Sequence, residues 1–313
     1  MATPGALVPM AGRWEAVGDA LRFVPRLPFA AGTTYVLASR ADDDDGPQRW
    51  TELARLRRPA ADVGRTATVV AIHPSAAEVP ENLLRLSVTF SAAMEEGSAA
   101  DRIHLRDLTG KDISQALLPM PPELWDRARR RLTLLLEPGR IKRGLVPNVA
   151  LGAPLAQQTE FAAVVDATIR DAGGGALAAG ARRTYRVGPP IRSRVDPASW
   201  TVSWPTPGTG EPLVVVFDRP LDRALVRRCL AVLGPNGQAV AGRSALDEGD
   251  VRWTFLPAEA WSAGDLGLHV DAGLEDLAGN SVRRVFDRDL RLEGDEPLVV
   301  DEVVLTPDHA PTG

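Results

Sequence analysis

The feature that most constrains this chain is a strand-and-turn unit that recurs three times. In its clearest copy Val251, Trp253 and Phe255 alternate with Arg252 and Thr254. That is the period-2 pattern of a strand with one buried face. Pro257 ends the strand because it has no N–H to donate. Gly264 opens a second strand, in which Leu266, Leu268 and Val270 alternate with Gly267 and His269. Asp276-Leu-Ala-Gly-Asn280 follows, and its Gly279 and Asn280 are suited to the positive φ of a tight hairpin.

The first copy is Leu21 to Pro25, then Gly32 to Leu37; the second is Leu132 to Pro138, then Gly144. Each closing proline is followed by a glycine six or seven residues on. The three prolines recur at roughly 115 residues, close to the ~100 residues of an immunoglobulin-like sandwich. The hairpin has an echo as well, since Asp171-Ala-Gly-Gly-Gly-Ala-Leu177 mirrors Asp276 to Val282 position for position. The expected fold is therefore all-β, a tandem of immunoglobulin-like β-sandwiches with the N-terminal one incomplete.

The expected boundaries are a partial module over 1–60 holding late strands only, sandwiches over 66–188 and 192–292, and an acidic tail over 293–313. Arg57 to Asp62 and Gly188-Pro-Pro190 read as linkers, the second stiffened by its prolines. Leu86, Val88 and Phe90 alternate with Ser87 and Thr89 in one strand of the second module, and Ile103 and Leu105 share a face of the next. Leu117 to Arg131 is a long proline-rich approach to the strand at Leu132. Leu221, Leu225 and Cys229 recur every fourth residue, which predicts a short surface helix. The early strands of the first copy are expected either to lie upstream of Met1 or to be replaced by docking onto the neighbouring module. An incomplete sandwich leaves an open sheet edge.

Composition narrows the function. The length of 313 residues suits two or three domains, and 26 prolines with 28 glycines suit a turn-rich β protein. A net charge of −5 argues against a nucleic-acid partner. The single cysteine, Cys229, excludes an intrachain disulfide and sits among Leu225 and Leu230 as a small buried hydrophobe. No apolar run reaches the ~20 residues of a transmembrane helix, and the first residues show no signal-peptide pattern.

Candidate chemistry is sparse. His73, His104, His269 and His309 share no metal-ligand spacing. No nucleophile elbow, zinc-protease helix or phosphate loop occurs, so no catalytic residue, cofactor or metal is expected. Asp42 to Asp45 lacks the alternating ligands of a calcium loop and reads as a solvated turn. Trp125, Trp200, Trp204, Trp253 and Trp261 are either core residues or a sugar-binding platform. The second module carries about 14 extra residues around 146–159 relative to the third, and inserted loops often carry binding. The basic residues Arg127, Arg129, Arg131, Arg140, Lys142 and Arg143 lie beside that insertion. They are a possible binding patch for a protein or a cell-envelope polysaccharide, or else a solvated face balanced by Glu123, Asp126 and Glu137.

Pro74, Val79-Pro80, Leu86-Ser-Val-Thr-Phe-Ser91 and Asp276-Leu-Ala-Gly-Asn280 together resemble the bacterial SbsA-type Ig-like family, bacterial Ig-like domain 5. The second module departs from it in having Gly173-Gly-Gly175 where the family has Gly-Asn. Pro122-Glu-Leu-Trp-Asp126 and Pro138 to Gly144 are similar to stretches of long envelope-type proteins. The resemblance implies β-sandwiches in surface-layer or secreted proteins, and it implies no catalytic residues. The expected function is a non-enzymatic spacer, adhesion or assembly module of an exported or cell-surface protein. The alternatives are a carbohydrate-binding module and an accessory fragment of a larger enzyme.

Overall fold

The computed structural model describes residues 9–30, 32–40, 50–59, 66–113, 115–264, 266–288 and 296–307. Asp42 to Asp45 lies outside them. The chain begins with two hairpins. Strand β1 (Gly12–Val17) pairs with β2 (Ala20–Pro25), and β3 (Thr34–Arg40) pairs with β4 (Trp50–Arg57). Each hairpin is its own two-stranded sheet.

A complete sandwich follows. Its strands are β5 (Val69–His73), β6 (Glu78–Pro80), β7 (Arg85–Phe90), β8 (Ile103–Asp107), β9 (Leu124–Trp125), β10 (Arg131–Leu135), β11 (Glu160–Val165) and β12 (Ala181–Gly188). One sheet has the order β5-β7-β10-β9 and the other β6-β12-β11-β8. Named in chain order these are the A-B-E-D and C-F-G sheets of an immunoglobulin-like sandwich, with β6 added parallel to the last strand. Helices α1 (Pro138–Ile141) and α2 (Val146–Leu151) lie between β10 and β11.

The same order repeats downstream. Strands β13 (Thr201–Ser203), β14 (Leu213–Val216), β17 (Arg252–Pro257) and β16 (Gly242–Leu246) form one sheet. Strands β15 (Leu230–Leu233), β18 (Gly267–Asp271) and β19 (Glu302–Leu305) form the other. The predicted helix is α3 (Arg223–Cys229), started by Asp222, whose carboxylate accepts from the N–H groups of Ala224 and Leu225 at 2.9 and 3.0 Å. Cys229 is buried, as its neighbours suggest.

Strand β19 corrects the expected third boundary. The stretch beyond 292 is not only an acidic tail, because Val303 and Leu305 pair across to Val270 and Leu268 and supply the last strand of the second complete sandwich. Without it β18 would present an unpaired edge. In the repeat, Pro25 at the end of β2 matches Pro257 at the end of β17, so β1 and β2 correspond to the D and E strands and β3 and β4 to F and G.

The cores follow from strand alternation. In β7 the buried residues are Leu86, Val88 and Phe90, and in β17 they are Trp253 and Phe255. Phe90 meets Trp125 at 5.7 Å, and Phe161 stacks on Tyr185 at 5.2 Å. In the downstream sandwich Trp200 meets Phe217 at 4.7 Å, and Phe255 lies between Trp253 and Trp261. Each such aromatic contact adds about 0.5–1.5 kcal/mol beyond simple burial.

The two complete sandwiches share packed surface. Leu277 belongs to the core of the upstream sandwich although it sits in the downstream hairpin. Its carbonyl accepts the N–H of Leu84 at 2.9 Å. Gly279 holds φ +79°, and a Cβ there would fall 2.3 Å from Leu84 Cδ2. Gly279→Ala is therefore expected to lower the unfolding free energy by about 1–3 kcal/mol, measured by urea denaturation. Trimming Leu84 to Ala in the same chain should recover the steric part of that loss.

Candidate functional site

Two places in the fold gather polar and irregular structure. The first is a groove on the open side of the upstream sandwich, between edge strands β8 and β9. Pro119, Pro121 and Pro122 precede β9, and none of them can donate to a sheet ladder. The D strand accordingly shrinks to two residues, and a groove of about 540 Å³ opens beside it. That volume lies within the range of small-ligand and peptide-side-chain pockets. The groove is lined by Leu105, Leu132 and Leu134 and by Leu118, Pro119 and Met120.

Several polar groups on the groove are already committed. Glu123 accepts from the N–H groups of Gly97 and Ala99 at 2.8 and 2.9 Å and from Trp125 Nε1 at 2.6 Å. It ties the 97–99 turn to β9. At the rim Arg106 Nε donates to Asp112 at 2.7 Å, and His104 Nδ1 lies 3.5 Å from the same carboxylate. The Arg106 hydrogen bond holds the Asp112 carboxyl below its usual range. The groove thus offers apolar contact edged by charge, with no paired nucleophile and base among its described residues. Glu123→Ala should strand these three donors and cost about 1–3 kcal/mol, measured by urea unfolding. Unchanged stability would mean that Glu123 does not hold the wall.

The second place is the seam between the sandwiches. Asp250 is fully buried, at 0 % exposure, with φ +58°. Its carboxylate accepts from Ser75 N at 2.6 Å, Ser75 Oγ at 2.8 Å and Arg223 Nε at 2.8 Å. Arg183 donates to the Ser75 carbonyl from the other side. Further along, Asn82 and Ile191 exchange two hydrogen bonds at 2.8 and 2.9 Å, and Asn280 Nδ2 reaches the same Ile191 carbonyl at 3.0 Å. Arg85 bridges to Glu275. Near the insertion, Arg143 and Arg192 both contact the buried Asp287 carboxylate, at 2.7 and 3.1 Å.

The structure does not assemble the six basic residues of the sequence analysis into one patch. Arg140 is buried and donates to the carbonyls of Gly152, Gln115 and Ala153 at 3.0, 3.1 and 2.8 Å. It clamps the inserted helices onto the sandwich. Arg129 is buried as well, with φ +54°, and burial pushes its guanidinium pKa down. Lys142 Nζ sits 4.5 Å above the Phe286 ring, and Arg143 is spent on Asp287. Arg127 is exposed and Arg131 half-buried in β10. The cause is local: loop carbonyls and seam carboxylates lie within reach of these long side chains.

The tryptophans resolve in the same direction. Trp125, Trp200, Trp253 and Trp261 are buried, and Trp204 packs partly buried against the downstream core. The residues that sequence reasoning missed are Ser75, Asn82, Asp250 and Asp287. Polar residues scattered in loops carry no periodic signal. One clue was present, because Asn280 stands where the second module has Gly175, and its side chain makes the extra seam contact.

The hairpin aspartates are turn organisers. Asp171 Oδ1 accepts from the N–H groups of Gly173 and Gly175 at 2.8 and 3.0 Å. Asp276 Oδ1 accepts from Ala278 and Asn280 at 2.9 and 3.0 Å, and its Oδ2 accepts from Asn280 Nδ2 at 2.9 Å. Among the described residues no group of three His, Cys, Asp or Glu side chains is placed to hold a metal ion.

Burial is the largest influence on Asp276, and it overrides these hydrogen bonds to push the carboxyl up to about 6 from 3.8. The folded state therefore holds this proton more tightly than the unfolded chain. Its stabilising contribution is full below the unfolded value and is lost as pH rises through about 6. Relative to Asp276→Asn, the native chain should lose roughly 2–3 kcal/mol between about pH 4 and about pH 7, read by urea unfolding of both proteins. A pH-independent difference would overturn this.

The sequence matches no family model and no curated protein. Among solved structures it is similar to native α2-macroglobulin of Escherichia coli spanning domains MG0-NIE-MG1. That overlap has 12 % identity and a TM-score of 0.27, over 78 % of this chain and 72 % of the other. Murine CEACAM1b overlaps 65 % of this chain and 91 % of its own at 10 % identity and a TM-score of 0.17. Overlaps this loose bear on neither site nor activity. The immunoglobulin-like assignment stands on the strand order. Among the described residues no helix is long and apolar enough to cross a membrane.

Proposed function

We propose that the chain is a non-enzymatic structural spacer or assembly module, part of an exported or cell-surface bacterial protein of the SbsA-type Ig-like kind. The observation that carries this reading is the seam. A chain that merely strings domains together has no need of a buried carboxylate such as Asp250 bonded across to Ser75. A spacer that holds a fixed direction does. Buried tryptophans favour the spacer over a carbohydrate-binding module, which presents its aromatic rings to solvent. The SbsA-type motifs around Leu86 to Ser91 and Asp276 to Asn280 support the exported setting.

The test is whether the two complete sandwiches behave as one body. In the native chain they should unfold in a single transition, and small-angle scattering should fit one fixed arrangement. Asp250→Asn keeps a residue tolerant of positive φ and leaves Arg223 without its charged partner. It should cost about 3 kcal/mol, split the transition in two and lengthen the scattering envelope. Two independent transitions in the native chain would sink the spacer reading.

A further inference from the structure

We propose that β1 is a pairing edge through which a second copy of this chain docks, antiparallel, about a two-fold axis at Trp14. This goes beyond the spacer reading, since a rigid rod can act alone.

Three observations carry the inference. First, the edge is open. Among the described residues β1 pairs with β2 alone, and nearly all of its side chains are exposed, with Trp14 at 54 %. In the repeat β1 corresponds to β16, which, like β9, lies at the outer border of its four-stranded sheet. Strands completing the first sandwich would add beside β2, where β7 and β14 lie in the complete copies, and would leave β1 free.

Second, the hydrogen-bonding phase is right. Arg26 N donates to Ala11 O at 2.8 Å, and the register runs unbroken from Gly12↔Pro25 to Val17↔Ala20. Bonded and non-bonded pairs alternate along an antiparallel ladder. Arg13, Glu15 and Val17 therefore bond to β2, while Gly12, Trp14 and Ala16 turn their N–H and C=O groups outward. A two-fold axis at Trp14 pairs Trp14 with Trp14 of the other copy, and Gly12 with Ala16 in both directions. That makes about six main-chain hydrogen bonds, with small residues flanking the two indoles.

Third, the charges are self-complementary. The same axis sets Arg13 opposite Glu15 of the second copy, twice, in the non-bonded pairs where side chains stand closest. Within one chain Arg13 and Glu15 already lie 2.8 Å apart on one face. An edge of one sign repels its own copy, whereas this one attracts it. Other exposed strands lack the combination. The outward positions of β2 include Pro25, which has no N–H. The β3–β4 ladder is broken by a bulge at Leu37/Ala38. In β16 a similar axis at Ser244 would set Arg243 against Ala245, with no ion pair.

The experiment is light scattering on the full chain over about 1–100 µM, with matched charge variants. The native chain should move from monomer mass to dimer mass across that range. Glu15→Arg and Arg13→Glu each set like charges opposite one another, and each alone should shift the midpoint at least tenfold toward higher concentration. Mixed in equal amounts they should return to near-native association, because two arginines of one copy then face two glutamates of the other. The mixture isolates contact between chains, since the pair within each chain stays broken. Ala16→Pro, which removes an outward donor, should abolish the dimer in both settings. A native chain that stays monomeric throughout, a mixture no better than its parts, or a dimer that survives Ala16→Pro would each overturn the proposal.

Discussion

The arrangement of the two complete sandwiches depends on a carboxylate buried in a turn. Asp276 sits in the downstream hairpin with both oxygens filled by N–H groups of its own loop and of Asn280. A buried turn has peptide N–H groups that water cannot reach, and each must find a partner or cost free energy. The carboxylate supplies those partners, and so the loop can be buried at all. Once buried, it presents the Leu277 carbonyl to Leu84 and brings Gly279 against the Leu84 side chain. The equivalent turn at Asp171 repeats the hydrogen bonds to Oδ1, but Gly175 lacks the side chain with which Asn280 reaches Ile191. One motif thus closes a turn in both sandwiches, and in the downstream one it also joins them.

The chemistry of the seam explains its directionality. Apolar packing alone tolerates sliding, because burial energy depends on area and hardly on angle. Hydrogen-bonded charges do not slide. The Asp250 carboxylate receives donors from Ser75 on one sandwich and Arg223 on the other, and displacing either strands a desolvated charge. Asn82 with Ile191 and Arg85 with Glu275 fix the joint at separate points. Several spaced polar contacts around a small apolar centre define an orientation in the way that a single contact cannot.

Much of this architecture was legible in the sequence. The alternation in Leu86 to Phe90 and Val251 to Phe255, with the turn-forming prolines and aspartate loops, pointed to an all-β sandwich fold, which the sheets bear out. Strand β19 was missed, although Glu302-Val-Val-Leu305 does alternate, because four residues beyond an acidic stretch are too few for a periodic signal. The basic cluster misled for a different reason. Sequence shows that Arg140 is charged, but not that the carbonyls of Gly152 and Ala153 fold back onto it. Whether a long cation faces solvent or clamps a loop is a property of tertiary contact. The seam left least trace, since its residues come from many separate loops and strands and from a helix, and match no local pattern.

Comparison of the two sandwiches shows where the scaffold has been altered. Their sheets have the same order, yet the D strand is five residues long in β16 and two in β9. The difference follows from Pro119, Pro121 and Pro122, which deny the upstream strand its ladder and leave Leu132 and Leu134 lining an open groove. The downstream sandwich spends its irregularity on the hairpin that grips its neighbour. The pair thus divides the two uses of loops on a rigid frame: one copy carries the opening in its side, and the other carries the joint that fixes where that opening points.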